Sequence, residues 1–189
     1  MFKKMISPMR AIKSLAILGA ASVILAAGCN KPQHPDVKSD VENALKSNNL
    51  GNISVSQDRD KGVMTLTGDV PSQDQKNQAE SIVNQAASGY TVADEIGVRP
   101  SGDTSQAKAV ASDTDSGIED NFKAAIKAHK VLDDQSISGS AKNGTLVIKG
   151  SVKTAAQKAQ AFKLAKGIPN VQQVVNEIEV NPKKHSTAS

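Results

Sequence analysis

Two copies of one small α+β unit, in the order α-β-β-α-β, are predicted by three features of the 189-residue sequence. These are a gapless internal repeat, apolar stripes that switch between helical and strand spacing, and strands that each close on a glycine. Each copy is expected to be a three-stranded mixed sheet packed on two helices, an α+β sandwich.

The repeat comes first because it sets the frame for the elements. Residues 62–98 lie on 144–180 at a constant offset of 82, and 11 of the 37 pairs are identical, among them Gly62/Gly144, Gly68/Gly150, Glu95/Glu177 and Ile96/Ile178. Upstream the offset slips to 81 and pairs Val37, Val41, Ala44 and Leu45 with Ile118, Phe122, Ala125 and Ile126. That i, i+4, i+7, i+8 spacing is an amphipathic helix. Ser116 and Glu119 have the spacing of a capping box at the start of its second copy. Ile53 and Val55, then Met64 and Leu66, alternate as strands do, and Asp60-Lys61-Gly62 or Lys142-Asn143-Gly144 make the turn. Asn-Gly favours a tight hairpin. A second helix places Ala79, Ile82, Val83 and Ala86 inward, matched by Ala161, Leu164, Ala165 and Ile168. A last strand carries Val92, Ile96 and Val98, matched by Val174, Ile178 and Val180. A hairpin followed by a helical crossover leaves one sheet face open when both helices pack on the other.

The N-terminus reads differently. Lys3, Lys4, Arg10 and Lys13 precede the apolar run Ser14–Ala27, which at 14 residues is shorter than the roughly 20 that a membrane-spanning helix needs. This is the pattern of a secretory signal, residues 1–28. The following Leu25-Ala26-Ala27-Gly28-Cys29 resembles the lipobox of bacterial lipoproteins. Cys29 is the sole cysteine, without an internal disulfide partner, and lipidation accounts for it. The resemblance implies acyl chains that anchor the protein to a membrane through Cys29. Asn30 after the cysteine points, by the same resemblance, to the outer membrane facing the periplasm. The expected organisation is then a tether at 29–35, a first domain at 36–98, a flexible linker at 99–114, a second domain at 115–182 and a tail at 183–189. The linker expectation rests on the Ser, Asp, Thr and Ala content of 99–114 and its lack of apolar periodicity.

The formal charge is +4 for the whole chain, but four of the basic residues lie in the signal, which leaves 19 basic against 19 acidic residues. A neutral mature chain argues against a nucleic-acid partner. The halves differ: residues 36–98 carry 5 basic and 10 acidic residues, and residues 115–182 carry 9 and 7. No catalytic set is legible. His34, His129 and His185 are not spaced as ligands, Cys29 is used by lipid, and the glycines form no phosphate-cradling loop. Gly68 and Gly150 read as backbone positions that must turn or approach closely. No metal, cofactor or enzymatic activity is expected.

The strand signatures Val63-Met64-Thr65-Leu66-Thr67-Gly68-Asp69-Val70 and Thr145-Leu146-Val147-Ile148-Lys149-Gly150-Ser151-Val152 resemble the BON domain, as does the ending Val174-Val175-Asn176-Glu177-Ile178. Paired domains of this family behind a signal peptide resemble periplasmic osmotic-stress proteins and outer-membrane lipoproteins that bind anionic phospholipid. The resemblance implies a non-catalytic envelope protein for membrane maintenance or osmotic tolerance. The alternative is a periplasmic adaptor for proteins or cell-wall-associated machinery. The surface feature that fits a partner is the second helix of the second repeat, where Lys153, Lys158, Lys163 and Lys166 accompany Phe162. Phe162 lies off the apolar stripe, and its counterpart in the first repeat is Glu80. Lys158, Phe162, Lys163 and Lys166 are the candidate phospholipid-binding residues, with envelope proteins as a second class of partner.

Overall fold

The computed structural model describes residues 33–100 and 104–181. The signal at 1–28, Cys29 and the tail at 183–189 lie outside the described residues. Ten elements follow one another: α1 (Lys38–Ser47), β1 (Ser54–Asp58), β2 (Val63–Val70), α2 (Gln73–Ala86) and β3 (Thr91–Val98) in the first repeat, then α3 (Thr104–Ala128), β4 (Ser136–Lys142), β5 (Thr145–Val152), α4 (Ala155–Lys166) and β6 (Gln173–Val180) in the second. The fold is α+β, two repeated units each with a three-stranded mixed sheet. The strand orders are β1-β2-β3 and β4-β5-β6. In each sheet the hairpin pair is antiparallel and the crossover pair parallel.

Local chemistry sets the element ends. Asn143 and Gly144 form the two-residue turn between β4 and β5 with φ of 48° and 80°, the doubly left-handed turn that matches strand twist. In the first hairpin the Asp58 carboxylate accepts from the backbone N–H groups of Asp60 and Lys61, and Gly62 has a φ of 65°. Ser72 caps α2 by accepting from Gln75 N–H, and Thr154 with Gln157 forms a full capping box on α4. These two caps stand at the repeat offset. Ser116 and Glu119 do not make a box, because α3 runs on upstream to Thr104 and places both inside the helix. Glu119 instead accepts from Ala141 N–H, and Asp115 accepts from the N–H groups of Asn143 and Gly144.

Residues 104–114 are therefore helical rather than an irregular linker. The extension is braced against the first repeat: Lys108 lies 3.3 Å from Asp69, and Ala111 and Thr114 line a cleft shared with Val98 and Arg99. The end of the tether is ordered as well. His34 N–H donates to Arg59 O at 3.0 Å, Arg59 Nε donates back to His34 O at 2.8 Å, and Tyr90 OH donates to Pro35 O at 2.7 Å.

The helix face of each sheet carries one core. Val41, Leu45, Met64, Leu66, Val83 and Ile96 are buried in the first, and Ile118, Phe122, Leu146, Ile148, Ala165 and Ile178 in the second. A third cluster has members from both repeats. Val63, Ala93, Val147 and Val175 are buried together, so the face left open by each pair of helices is covered by the other sheet.

Candidate functional site

The junction between the sheets repeats itself under exchange of the two units. Lys61 Nζ donates to Glu177 at 2.7 Å, and the residues 82 positions away in each direction, Asn143 and Glu95, meet through Asn143 Nδ2 donating to Glu95 O at 2.7 Å. Ala93 and Val175, another related pair, share the central cluster. Burial at this junction pushes the Glu95 carboxyl above its ordinary range, against the pull of Lys142 at 3.7 Å. The Glu177 hydrogen bond and charge raise Lys61.

The symmetry fails along the strand edges. In β3 the outward carbonyls of Val92, Asp94 and Ile96 and the N–H groups of Asp94 and Ile96 are taken by side chains. Gln173 reaches across and accepts from Asp94 N–H at 2.9 Å while its amide donates to Val92 O at 2.9 Å. Thr145 Oγ1 donates to Asp94 O, the Asp94 carboxylate accepts from Ile96 N–H at 3.0 Å, and Lys76 Nζ donates to Ile96 O at 2.9 Å. This closes the edge as folded proteins must when a strand has no neighbour. The exchange-related residues are Thr91 for Gln173 and Val63 for Thr145 in the first unit, and Lys158 for Lys76 and Asn176 for Asp94 in the second. Of these closures β6 keeps one among the described residues, Asn176 Oδ1 accepting from Ile178 N–H at 3.1 Å.

Lys76 and Asp94 are themselves buried, 9 % and 5 % exposed, with Nζ and Oδ2 3.7 Å apart. Burial raises Asp94, opposed by the Ile96 N–H and by Lys76. Sequence reading passed over this pair. Its signal was a lysine on the stripe of Ala79 and Val83, and an aspartate in the phase of Val92 and Ile96. A cleft of about 230 Å³ opens beside it, lined by Gln73, Asn77, Glu80, Thr145, Gln172 and Gln173. Arg99 sits at the other end of β3, 2.7 Å from Asp69 in an ion contact too bent for a hydrogen bond, and donates to Asn143 Oδ1 at 3.2 Å.

The candidate residues on α4 fall on two levels. Lys163 and Lys166 are exposed, Lys158 is half-buried, and Phe162 is half-buried against the second core rather than free of it. Lys166 Nζ lies 4.4 Å above the Phe162 ring, a cation–π contact. Lys153 is paired with Asp134, whereas Lys158, Lys163 and Lys166 have no carboxylate within 4.0 Å among the described residues. Phe162 leans onto the core beside the partly buried Leu164, while Ala161 and Ala165 take the fully buried positions; Ile168, expected on this helix, lies past its end at Lys166. Gly68 and Gly150 serve the backbone: their φ values are 137° and 121°, and a Cβ on Gly68 would stand 2.8 Å from Asn52 O.

Among the described residues no three His, Cys, Asp or Glu side chains converge as a metal site, and no helix is long and apolar enough to cross a membrane. The geometry defines a pair of small α+β modules joined face to face, with one strand edge closed by side chains and one helix rich in lysine. The chain belongs to the BON domain family, whose model matches residues 34–100 and 114–182. It is 28% identical over 131 residues to the osmotically-inducible protein Y of Escherichia coli (strain K12), a match covering 69% of this chain and 64% of that protein. The match thus spans a little under two thirds of that relative's length. Two solved chains of CdsD, a structural protein of the type III secretion system of Chlamydia trachomatis, are more distant. They are 14% and 13% identical with TM-scores of 0.30 and 0.32, each over 78% of this chain, and over 63% and 98% of their own lengths.

Proposed function

We propose that this protein is an exported, non-catalytic envelope protein, held to a membrane through a lipid on Cys29 and probing its surroundings with the α4 face of its second repeat. Membership of the BON family and likeness to an osmotically inducible protein support a role in envelope maintenance under osmotic stress. The observation that carries the reading is the cationic surface of α4, where Lys158, Lys163 and Lys166 lie around Phe162 without a carboxylate within 4.0 Å among the described residues. Such a surface selects an anionic partner, and lysines near an anionic bilayer contribute about 1 kcal/mol each. Phospholipid headgroups and acidic polypeptides share that chemistry. The half-burial of Phe162 favours a partner that packs beside the helix over a bilayer that the ring must penetrate.

Two variants test the reading together. Cys29→Ser releases the protein from washed membranes, and Lys158→Glu with Lys166→Glu leaves it anchored and folded yet unable to restore growth at high osmolarity to a strain lacking the gene. Retention of Cys29→Ser on membranes after a high-salt wash overturns the anchor. Full restoration by the α4 double variant overturns the recognition face.

A further inference from the structure

The two repeats are each other's control. They share topology, register and an exchange-related junction, so a difference at matched positions marks what one repeat does and the other does not. The outer edge of β3 is closed by four side chains, two of which, Gln173 and Thr145, come from the opposite unit. At the matched positions the first unit presents Thr91, too short to span to β6, and Val63, which has no polar atom to offer. The parallel register of β6 on β5 repeats that of β3 on β2, so Val174, Asn176 and Ile178 point their backbone groups outward as Val92, Asp94 and Ile96 do. Among the described residues the N–H groups of Val174 and Asn176 and the carbonyls of Val174, Asn176 and Ile178 have no hydrogen-bond partner. They form a row of two donors and three acceptors with the spacing of a strand.

The residues flanking that row also differ from their counterparts. Beside β3 the wall is Lys76, neutralised by Asp94, and Glu80. Beside β6 the matched wall is Lys158, with neutral Asn176 in place of the aspartate, and Phe162 in place of the glutamate. Lys158 therefore has no counter-ion within 4.0 Å among the described residues, and the half-buried Phe162 offers its outer edge beneath Lys166.

We infer that the outer edge of β6, between α4 and the start of β3, takes an extended peptide segment bearing carboxylates, which adds as a fourth strand to the second sheet. Main-chain hydrogen bonds to Asn176 and to the neighbouring carbonyls give the register, and Phe162 and Lys158 read an apolar and an acidic side chain. This rests on the reading of α4 as the recognition face and names the class of partner. A bilayer does not supply the row of amides that the edge calls for, and a second copy of this chain, although it brings the same β6 edge, would set one Lys158 wall against another of like charge.

The test uses the compact unit from Lys31 to Ser189 and a capped octapeptide of alternating Glu and Val as probe. Binding is followed by fluorescence anisotropy, and amide NMR shifts locate the contact on β6 and α4. Thr91→Gln installs the counterpart of Gln173 and should close the β6 edge, weakening the peptide by about tenfold or more while leaving the fold intact. Lys158→Glu should do the same through charge, and a probe N-methylated at alternate residues should lose binding although its side chains are unchanged. Affinity unmoved by Thr91→Gln and by N-methylation overturns the inference. So does binding to phosphatidylglycerol vesicles that the peptide does not displace, or a dimer of the protein alone that Thr91→Gln abolishes. A failure of the Cys29 anchor leaves all these readouts standing, so the two readings fall separately.

Discussion

A Cβ at position 150 would collide with the carbonyl oxygen of Ser136, and the backbone there has a φ of 121°, a region that L side chains rarely occupy. Both penalties fall on the same atom, in the strand that carries the second core, so Gly150→Ala should destabilise the protein by about 2–4 kcal/mol. Urea unfolding followed by circular dichroism measures it, and a loss below about 0.5 kcal/mol contradicts the fit. The structural role of this glycine was legible from its place at the end of a strand signature. The role of Lys76 and Asp94 was not, because a single charged residue within an apolar stripe reads as a tolerated surface position. Its partner, 18 positions away in sequence, becomes a neighbour only when α2 crosses over onto β3. Phe162 was misjudged for a related reason. A helix as short as α4 and rich in alanine leaves room for a large side chain at the margin of the stripe to lean back onto the core.

Among the elements, the hairpins and both crossover helices stood out in the sequence because turn chemistry and apolar period agree there. The upstream half of α3 did not. Residues 104–114 have no stripe to bury, and their Ser, Asp and Thr content suits a loop. Yet a helix already nucleated by Ile118, Phe122 and Ile126 extends at little cost through Gln106, Ala107, Lys108 and Ala109, which are good helix formers. Contacts with the first repeat then hold it, chiefly Lys108 near Asp69 and Thr114 at the shared cleft. Ala109→Pro should break α3 at that point and release its first turn. Amide exchange at 104–108 should rise to the rate of a free peptide, at a cost of about 1–3 kcal/mol in stability. Unchanged protection after the substitution would show that the brace is not helical in solution.

For the whole molecule, the covered sheet faces are the largest departure from what the sequence suggested, which was two copies joined by a flexible linker, each with one sheet face open. The clue lay in Leu146-Val147-Ile148, an unbroken apolar run that marks a strand buried on both faces. With Val63, Ala93, Val147 and Val175 shared, the protein should unfold in one calorimetric transition, and two separated transitions would show the junction to be incidental. The junction also has a pH signature. Burial holds the folded Glu95 carboxyl above its ordinary 4.5, so its charge opposes folding at neutral pH, and that opposition fades as pH falls through the raised value towards 4.5. Glu95→Gln should therefore raise the melting temperature at pH 7 and have no such benefit near pH 4. An equal gain at both values would rule out titration as the cause. The exchange relation between Lys61–Glu177 and Asn143–Glu95 has a thermodynamic meaning as well. Two separate copies meeting through a small apolar patch and a few hydrogen bonds would associate only in proportion to their concentration. One chain holds them at an effective concentration in the millimolar range. Covalent union makes the pairing independent of how much protein the cell makes, and it releases the two edges from having to be alike.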